Sequence, residues 1–187
     1  NYCIDPAAII KAITPKTKAI IQVHIAAQMA DMDAIMEIAK QHNLVVVEDS
    51  AHSHGAQWRG KGSGTIGDFG SFSLHSAKIL TTGEGGVLIC KDSHMAELAA
   101  SIIDCGRAKD SARQNYTMGV NYRWTELHAA LGIEGLKRFP AQMAERAENA
   151  DYLEECLSEI PGISMLKRDP RQNKRSLYRY IFNIDTE

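Results

Sequence analysis

No stretch of this 187-residue chain approaches the roughly 20 consecutive apolar residues that a membrane span requires. No signal-peptide pattern is visible either. The chain also lacks a charge imbalance. Its 21 Lys and Arg against 23 Asp and Glu give a formal charge of −2, which removes the basic footprint of a nucleic-acid or anionic-membrane binder. There is no CxxC pair. Cys3, Cys90, Cys105 and Cys156 are scattered, which points to a reduced, cytoplasmic protein rather than a disulfide scaffold. No internal repeat or low-complexity tract appears. What is present is ordinary for a soluble globular protein with a proper core: 44% hydrophobic and 24% charged residues.

The apolar periodicity sets the organisation. Pro6 to Ile13 has helical spacing and is stopped by Pro15. Lys18 to His24 reads as a strand, and Asp31 to His42 as an amphipathic helix with Asp31 as N-cap. Leu44 to Val47 is a continuous apolar run of the kind found in strands buried on both faces. Strand, helix and strand within about thirty residues predict a βαβ unit and a parallel sheet. Phe69 to Leu74 and Gly86 to Cys90 are two further strands. They are joined too tightly for a parallel crossover, so the second should run antiparallel. Ser93 to Cys105 is a predicted helix capped by Gly106, and Asp110 to Val120 a loop. Thr125 to Phe139 and Ala141 to Ile160 are expected as two helices broken at Pro140. After Pro161-Gly162 the composition shifts. Arg168 to Arg175 is basic and turn-rich, and Leu177 to Ile184 alternates like a strand, so this is the best candidate for a domain boundary.

Candidate chemistry lies between Val45 and Gly86. Gly62 to Gly67 matches GxGxxG, but it leaves polar loop and enters a strand, the wrong context for a dinucleotide site. Gly55 to Lys61 matches GxxxxGK, yet Gly62 stands where a P-loop needs Ser or Thr. His52, His54 and Asp49 are close enough in sequence to bind a metal, although an HxH after a strand is more often exposed or supporting. Lys78 is harder to set aside. A lone lysine after a buried strand is usually solvated, but here Asp49 ends another strand, and in open α/β sheets ligands sit at that end. Pyridoxal phosphate needs a lysine, an acid against its ring nitrogen and small donors for its phosphate; Lys78, Asp49, Ser73 and the nearby glycines supply each type. An acid beside the ring nitrogen favours the protonated, electron-withdrawing ring by roughly 1.4–4 kcal/mol.

Four segments, VVVEDSAHSHGA, GTIGDFGSFSLHSAK, LTTGEGG and VNYRWTELHAALG, in this order and spacing, resemble the DegT/DnrJ/EryC1/StrS family of aminotransferases. The resemblance spans essentially the whole chain. It implies a fold-type-I pyridoxal phosphate enzyme: an α/β fold with a mixed, mostly parallel sheet and helices on both faces, followed by a smaller C-terminal α/β domain. Residues 1–140 are then expected as part of the cofactor-binding domain, and 141–187 as a linking helix and the start of the small domain.

The same resemblance implies the site. Lys78 binds the cofactor covalently and later moves a proton, Asp49 pairs with the ring nitrogen, and Ala51 packs on the ring face. Ser73 holds the phosphate, and His52 lies near the ring's 3-hydroxyl, where many members carry Gln. Asn121 reaches the phosphate of the partner subunit's cofactor, which implies a homodimer with shared sites. His52, His54, Cys105-Gly106-Arg107 and the YRYIF segment resemble the branch that aminates keto-cyclitols with glutamine. Amination of a nucleotide-linked keto-sugar, and glutamate as donor, stay open. The family carries more chain on both sides of this segment, and Asn-Tyr-Cys at the start reads as the interior of a longer protein. The alternative is a non-catalytic truncated or regulatory paralogue that binds cofactor or ligand without turnover.

Overall fold

The computed structural model describes residues 2–108, 111–115 and 117–185. The chain opens with helix α1 (Pro6–Ala12), started by the Asp5 carboxylate accepting from the Ala7 N–H and by Pro6 in the first turn, where its missing donor is harmless. Strand β1 (Ala19–Val23) leads to helix α2 (Met32–His42). Asp31 caps α2 through the Ala34 N–H as expected, and Asn43 closes it in a left-handed conformation. Strand β2 (Val45–Asp49) follows, then a ribbon of β3 (Gln57–Trp58) and β4 (Lys61–Gly62), then β5 (Phe69–Ser73) and β6 (Gly86–Cys90).

The main sheet has the order β1-β2-β5-β6. β1, β2 and β5 are parallel, and β6 runs antiparallel to β5, in register from Phe69 opposite Cys90 to Ser73 opposite Gly86. The expected mixed, mostly parallel α/β sheet is therefore present. Its core lies on one face, where Ile9, Met32, Ile35 and Ile38 of the two helices pack on Ile20 and Val46. The Leu44–Val47 run is not buried on both faces. Val46 is fully buried, while Val45 shares the opposite face with Ile21 (67% exposed) and Leu88 (50% exposed). Among the described residues α1 and α2 cover only the Val46 side of this strand, so the run is apolar beyond what these contacts require.

Helix α3 (Ser93–Ile103) ends two residues earlier than its pattern suggests. The left-handed turn that stops it begins at Cys105 and continues into Gly106, whose N–H reaches back to the Ser101 carbonyl. Within the predicted loop, β8 (Ser111–Asn115) is a strand that pairs antiparallel with β7 (Arg107–Ala108); Asp110 and Tyr116 lie outside the described residues.

The two helices expected around Pro140 are one, α4 (Glu126–Ser158), begun by the Thr125 cap. A proline removes a single backbone bond, the one to the carbonyl four residues earlier. That residue, Leu136, is exposed, so water can take up its carbonyl and the helix runs on. Beyond α4 come β9 (Ile163–Met165), β10 (Gln172–Lys174) and β11 (Phe182–Ile184). The alternating run from Leu177 supplies only its last three residues as strand. Leu177 itself adopts positive φ and buries its side chain against Ala27 and Ala150.

The segment before Leu177 is tied back to the sheet. β10 pairs with β3. Arg171 places one guanidinium nitrogen 2.8 Å from Asp31 and another 3.4 Å from Asp33, both at the start of α2, and rests on the Trp58 ring.

Candidate active site

β2 ends in Glu48-Asp49, and strand alternation sends the two carboxylates to opposite faces of the sheet. Glu48 points into the covered face with Val46 and is wholly buried. Its oxygens accept from the N–H groups of Gly64 at 2.9 Å and of Ile66 and Gly67 at 2.6 Å, and from His24 Nε2 at 3.0 Å. His24 Nδ1 accepts from the Ala30 N–H, which leaves the ring proton on Nε2, facing Glu48. Burial alone would push the Glu48 carboxyl up, but the hydrogen bonds from His24, Gly67 and Gly64 outweigh it and hold the group below its ordinary value. The Gly62–Gly67 turn is thus an anion cradle of backbone amides, and its anion is the protein's own carboxylate. Glycine is required at Gly70 on the sheet beneath, where any Cβ would collide with the Gly64 carbonyl.

Asp49 faces the other way. Its Oδ1 accepts from the Ala51 N–H at 3.0 Å, and Oδ2 has no partner among the described residues. The partly buried Ala51 and His52 lie in the turn that follows. The His52 ring packs 4.6 Å from Tyr178, and its Nδ1 is buried without a partner. Burial, then the positive charges of Lys78 and Arg179, push the His52 ring below the usual imidazole range, against the pull of Asp49. His54 is buried against Phe72. Its Nε2 donates to the Ser73 carbonyl at 2.9 Å, fixing the end of β5, while burial drives its basicity down.

Lys78 sits in the turn between β5 and β6. That turn is held by the Leu74 carbonyl, which accepts from the Thr82 N–H at 3.0 Å and the Thr81 hydroxyl at 3.1 Å. The Lys78 amine lies 4.8 Å above the centre of the Tyr178 ring, with no carboxylate within ion-pair distance among the described residues. The Ser73 hydroxyl is partly buried on the same strand end and accepts a long bond (3.4 Å) from the His75 N–H.

Asp49, Ala51, His52, Ser73 and Lys78 are therefore gathered at the carboxyl ends of β2 and β5, where ligands of open α/β sheets bind. Asn121 is not among them. Its side chain accepts from Arg123 at 2.9 Å and its backbone bridges to Asp104. Tyr178 and Arg179, which close the cluster, were missed by sequence reasoning. They lie about 100 residues beyond Lys78, and nothing in their spacing signals the contact; only the YRYIF resemblance touched them.

The residues present suit pyridoxal phosphate. There is an amine without an ion-pair partner, a carboxylate with one oxygen unengaged, and a buried imidazole nitrogen without a partner, all within one cluster. The model of the "DegT/DnrJ/EryC1/StrS aminotransferase family" matches residues 1–187. The chain belongs to this family. DegT/DnrJ/EryC1/StrS relatives include a Streptoalloteichus tenebrarius protein with a provisional assignment as an L-glutamine:3-amino-2,3-dideoxy-scyllo-inosose aminotransferase, 44% identical over all of this chain and 46% of its own length. The L-glutamine:scyllo-inosose aminotransferase of Streptomyces griseus is 37% identical, again over the whole chain and 46% of its own. The crystal structure of 3-amino-5-hydroxybenzoic acid synthase superposes with a TM-score of 0.91 at 36% identity, covering 98% of this chain and 48% of that one. The chain spans about half the length of the curated relatives it matches.

Proposed function

We propose that the whole protein is a pyridoxal-phosphate-dependent aminotransferase. It moves an amino group from glutamine or glutamate to a keto-cyclitol or keto-sugar in aminocyclitol or amino-sugar biosynthesis. One observation carries this: Asp49 and Lys78 come from different strand ends, the His52 ring feels the charge of both, and Lys78 stands over Tyr178, while the neighbouring Glu48 is locked away in the core. The names of the relatives favour a cyclitol ketone as acceptor and glutamine as donor.

When bound, the cofactor supplies an electron sink that lets a proton leave the carbon bearing the amino group. Lys78 would hold the cofactor through its aldehyde carbon and would carry that proton. Asp49, through its unengaged Oδ2, would keep the ring nitrogen protonated. Ala51 would take one face of the ring, His52 would serve the 3-hydroxyl, and Ser73 would bind the phosphate. Residues 1–140 form the cofactor-binding part and 141–187 the start of a smaller domain, the two joined through the single helix α4. The free thiols of Cys90, Cys105 and Cys156 suit a reducing, cytoplasmic setting.

Asn121 acts in trans, in a homodimer with shared sites. The surface around it supports this: Met118 is 92% exposed and Leu127 80% exposed, beside Tyr122 and Leu131. Leu127→Glu is expected to shift the protein from dimer to monomer in sedimentation; an unchanged dimer would put the interface elsewhere.

The deciding experiment is incubation with pyridoxal phosphate followed by borohydride reduction and peptide mapping. A stable pyridoxyl group on Lys78 is the expected result, and its absence from the full-length protein overturns the reading. Asp49→Ala is expected to keep the fold and this adduct but lower turnover roughly 10- to 1000-fold, the rate equivalent of about 1.4–4 kcal/mol lost at the ring nitrogen. Unchanged kinetics would mean that Asp49 does not face the ring.

A further inference from the structure

Away from Lys78, a cavity of about 230 Å³ opens between α4 and the segment that precedes Tyr178. Gln28, from the loop between β1 and α2, forms part of its floor, and Met143, Ala147 and Leu177 give it an apolar wall. Gln28 is only 7% exposed, yet neither end of its carboxamide has a hydrogen-bond partner among the described residues. Buried amides are ordinarily paired, and an unpaired one weakens the fold unless something outside the chain completes it. This one opens onto the cavity.

The polar groups around it are unevenly engaged. Asp169 gives both carboxylate oxygens to Arg171. Asp151 Oδ1 accepts from Arg168 and Arg175 at 3.2 Å each, and Glu154 pairs with the same two guanidiniums. Lys174 has no carboxylate within ion-pair distance among the described residues. The Asn173 side chain accepts from the Gly60 N–H through its oxygen, which leaves its own N–H groups unengaged. The cavity therefore offers the Lys174 ammonium and the amide nitrogens of Gln28 and Asn173 as free donors. Against these stand two free acceptors, the Gln28 oxygen and Asp151 Oδ2. A donor-rich cavity with one uncompensated cation is completed by an oxyanion. Its volume lies below the roughly 300–1,000 Å³ of sites for drug-sized ligands, which excludes a nucleotide-linked sugar and suits a phosphate or a short carboxylate.

We propose that this cavity binds a small oxyanion, a phosphate or a short carboxylate, between the exposed Lys174 ammonium and the buried Gln28 amide. It is separate from the cofactor cleft, since none of Asp49, His52, Ser73 or Lys78 lines it. The site stands whether or not the protein is an aminotransferase. Leu177 forms part of its wall and Tyr178 follows directly, so an occupant touches the segment that places the ring under Lys78.

The test follows two NMR probes at once in the full-length protein: the Leu177 methyl groups in the cavity wall and the His52 ring in the cofactor cleft. Inorganic phosphate and acetate are titrated at constant ionic strength, with chloride as the blank. Saturable movement of Leu177 is expected with one or both, and the tighter of the two names the source of the oxyanion. Lys174→Ala should weaken binding roughly 2- to 5-fold, the scale of an exposed charge pair. Gln28→Met should weaken it roughly 2- to 10-fold, the scale of one neutral hydrogen bond. Without ligand, Gln28→Met should also raise the unfolding midpoint, because an apolar group of similar shape replaces an unpaired buried amide. A lowered midpoint would mean that the amide serves the fold and not a ligand, and it would overturn the proposal. Movement of His52 alone would put the anion in the cofactor cleft and have the same result. So would a Leu177 shift that matches the chloride blank, or an affinity that either variant leaves unchanged. No step uses pyridoxal phosphate, so a missing adduct on Lys78 leaves this outcome intact.

Discussion

Replacing Lys78 with alanine is expected to abolish both the borohydride-stable pyridoxyl adduct and turnover, the latter by at least 10²- to 10⁴-fold, the range that positioned proton transfer contributes. The argument starts from the turn that presents the amine. Thr81 and Thr82 pin it to the Leu74 carbonyl, and Thr82 is buried, so the backbone at Lys78 does not depend on its own side chain. The alanine variant should therefore fold with an unchanged unfolding midpoint. Lys78→Arg should not restore activity, because a guanidinium keeps the charge above Tyr178 but is not a nucleophile near neutral pH. Added methylamine is expected to recover a small fraction of turnover in the alanine variant, since a free amine can enter the space left beside Tyr178. An alanine variant with full turnover would move the chemistry to another residue.

The second large effect concerns stability. Glu48→Ala should destabilise the fold by about 3–5 kcal/mol, measured as a shift in urea midpoint at constant slope. The substitution strands the Gly64 and Gly67 amides and the His24 Nε2–H in a buried setting, and the Ile66 amide in a partly buried one. Each unmade buried bond costs about 1–3 kcal/mol, partly relieved if water enters. Against a typical total of about 5–15 kcal/mol, that is enough to threaten folding at all.

The pH dependence has a definite sign. Glu48 is held below its ordinary value of 4.5 in the folded state, so its contribution is complete above that pH. It is lost as pH falls below 4.5 towards the folded value, where the carboxylate takes up a proton and becomes a poorer acceptor. Glu48→Gln should show less of this acid-side loss, with a lower stability near neutral pH. Equal acid sensitivity in both proteins would mean that other carboxylates dominate.

These two acids also mark what was legible in the sequence. Alternation along a strand separates Glu48 from Asp49 on paper, and the position of Asp49 as the last residue of β2 marks the ligand-binding end. The Asp31 cap and the antiparallel β6 were equally readable, because each follows from local chemistry or connection length. The role of the 62–67 turn, clasping Glu48, depends on a contact across the loop that no motif encodes. Pro140 misled because a local helix breaker was outweighed by strong helical sequence on both sides. Leu177 misled because its alternating pattern gave way to a left-handed turn that buries the side chain against α4. Tyr178 was illegible for a simpler reason: its place above Lys78 is set by Arg171 gripping the start of α2 and by β10 pairing with β3, both long-range contacts.

That remote ring has a consequence for the order in which the protein is made. Asp49, Ser73 and Lys78 leave the ribosome well before Tyr178, and the four strands β1, β2, β5 and β6 around them end at Cys90. Tyr178 follows Lys78 by about 100 residues, which at roughly 5–20 residues per second is a delay of some 5–20 s. Throughout that interval the nascent sheet holds its acid, hydroxyl and amine with one wall missing, and only the docking of Arg171 brings the ring into place. The Tyr178 wall of the reactive pocket is therefore added well after the strands that support it.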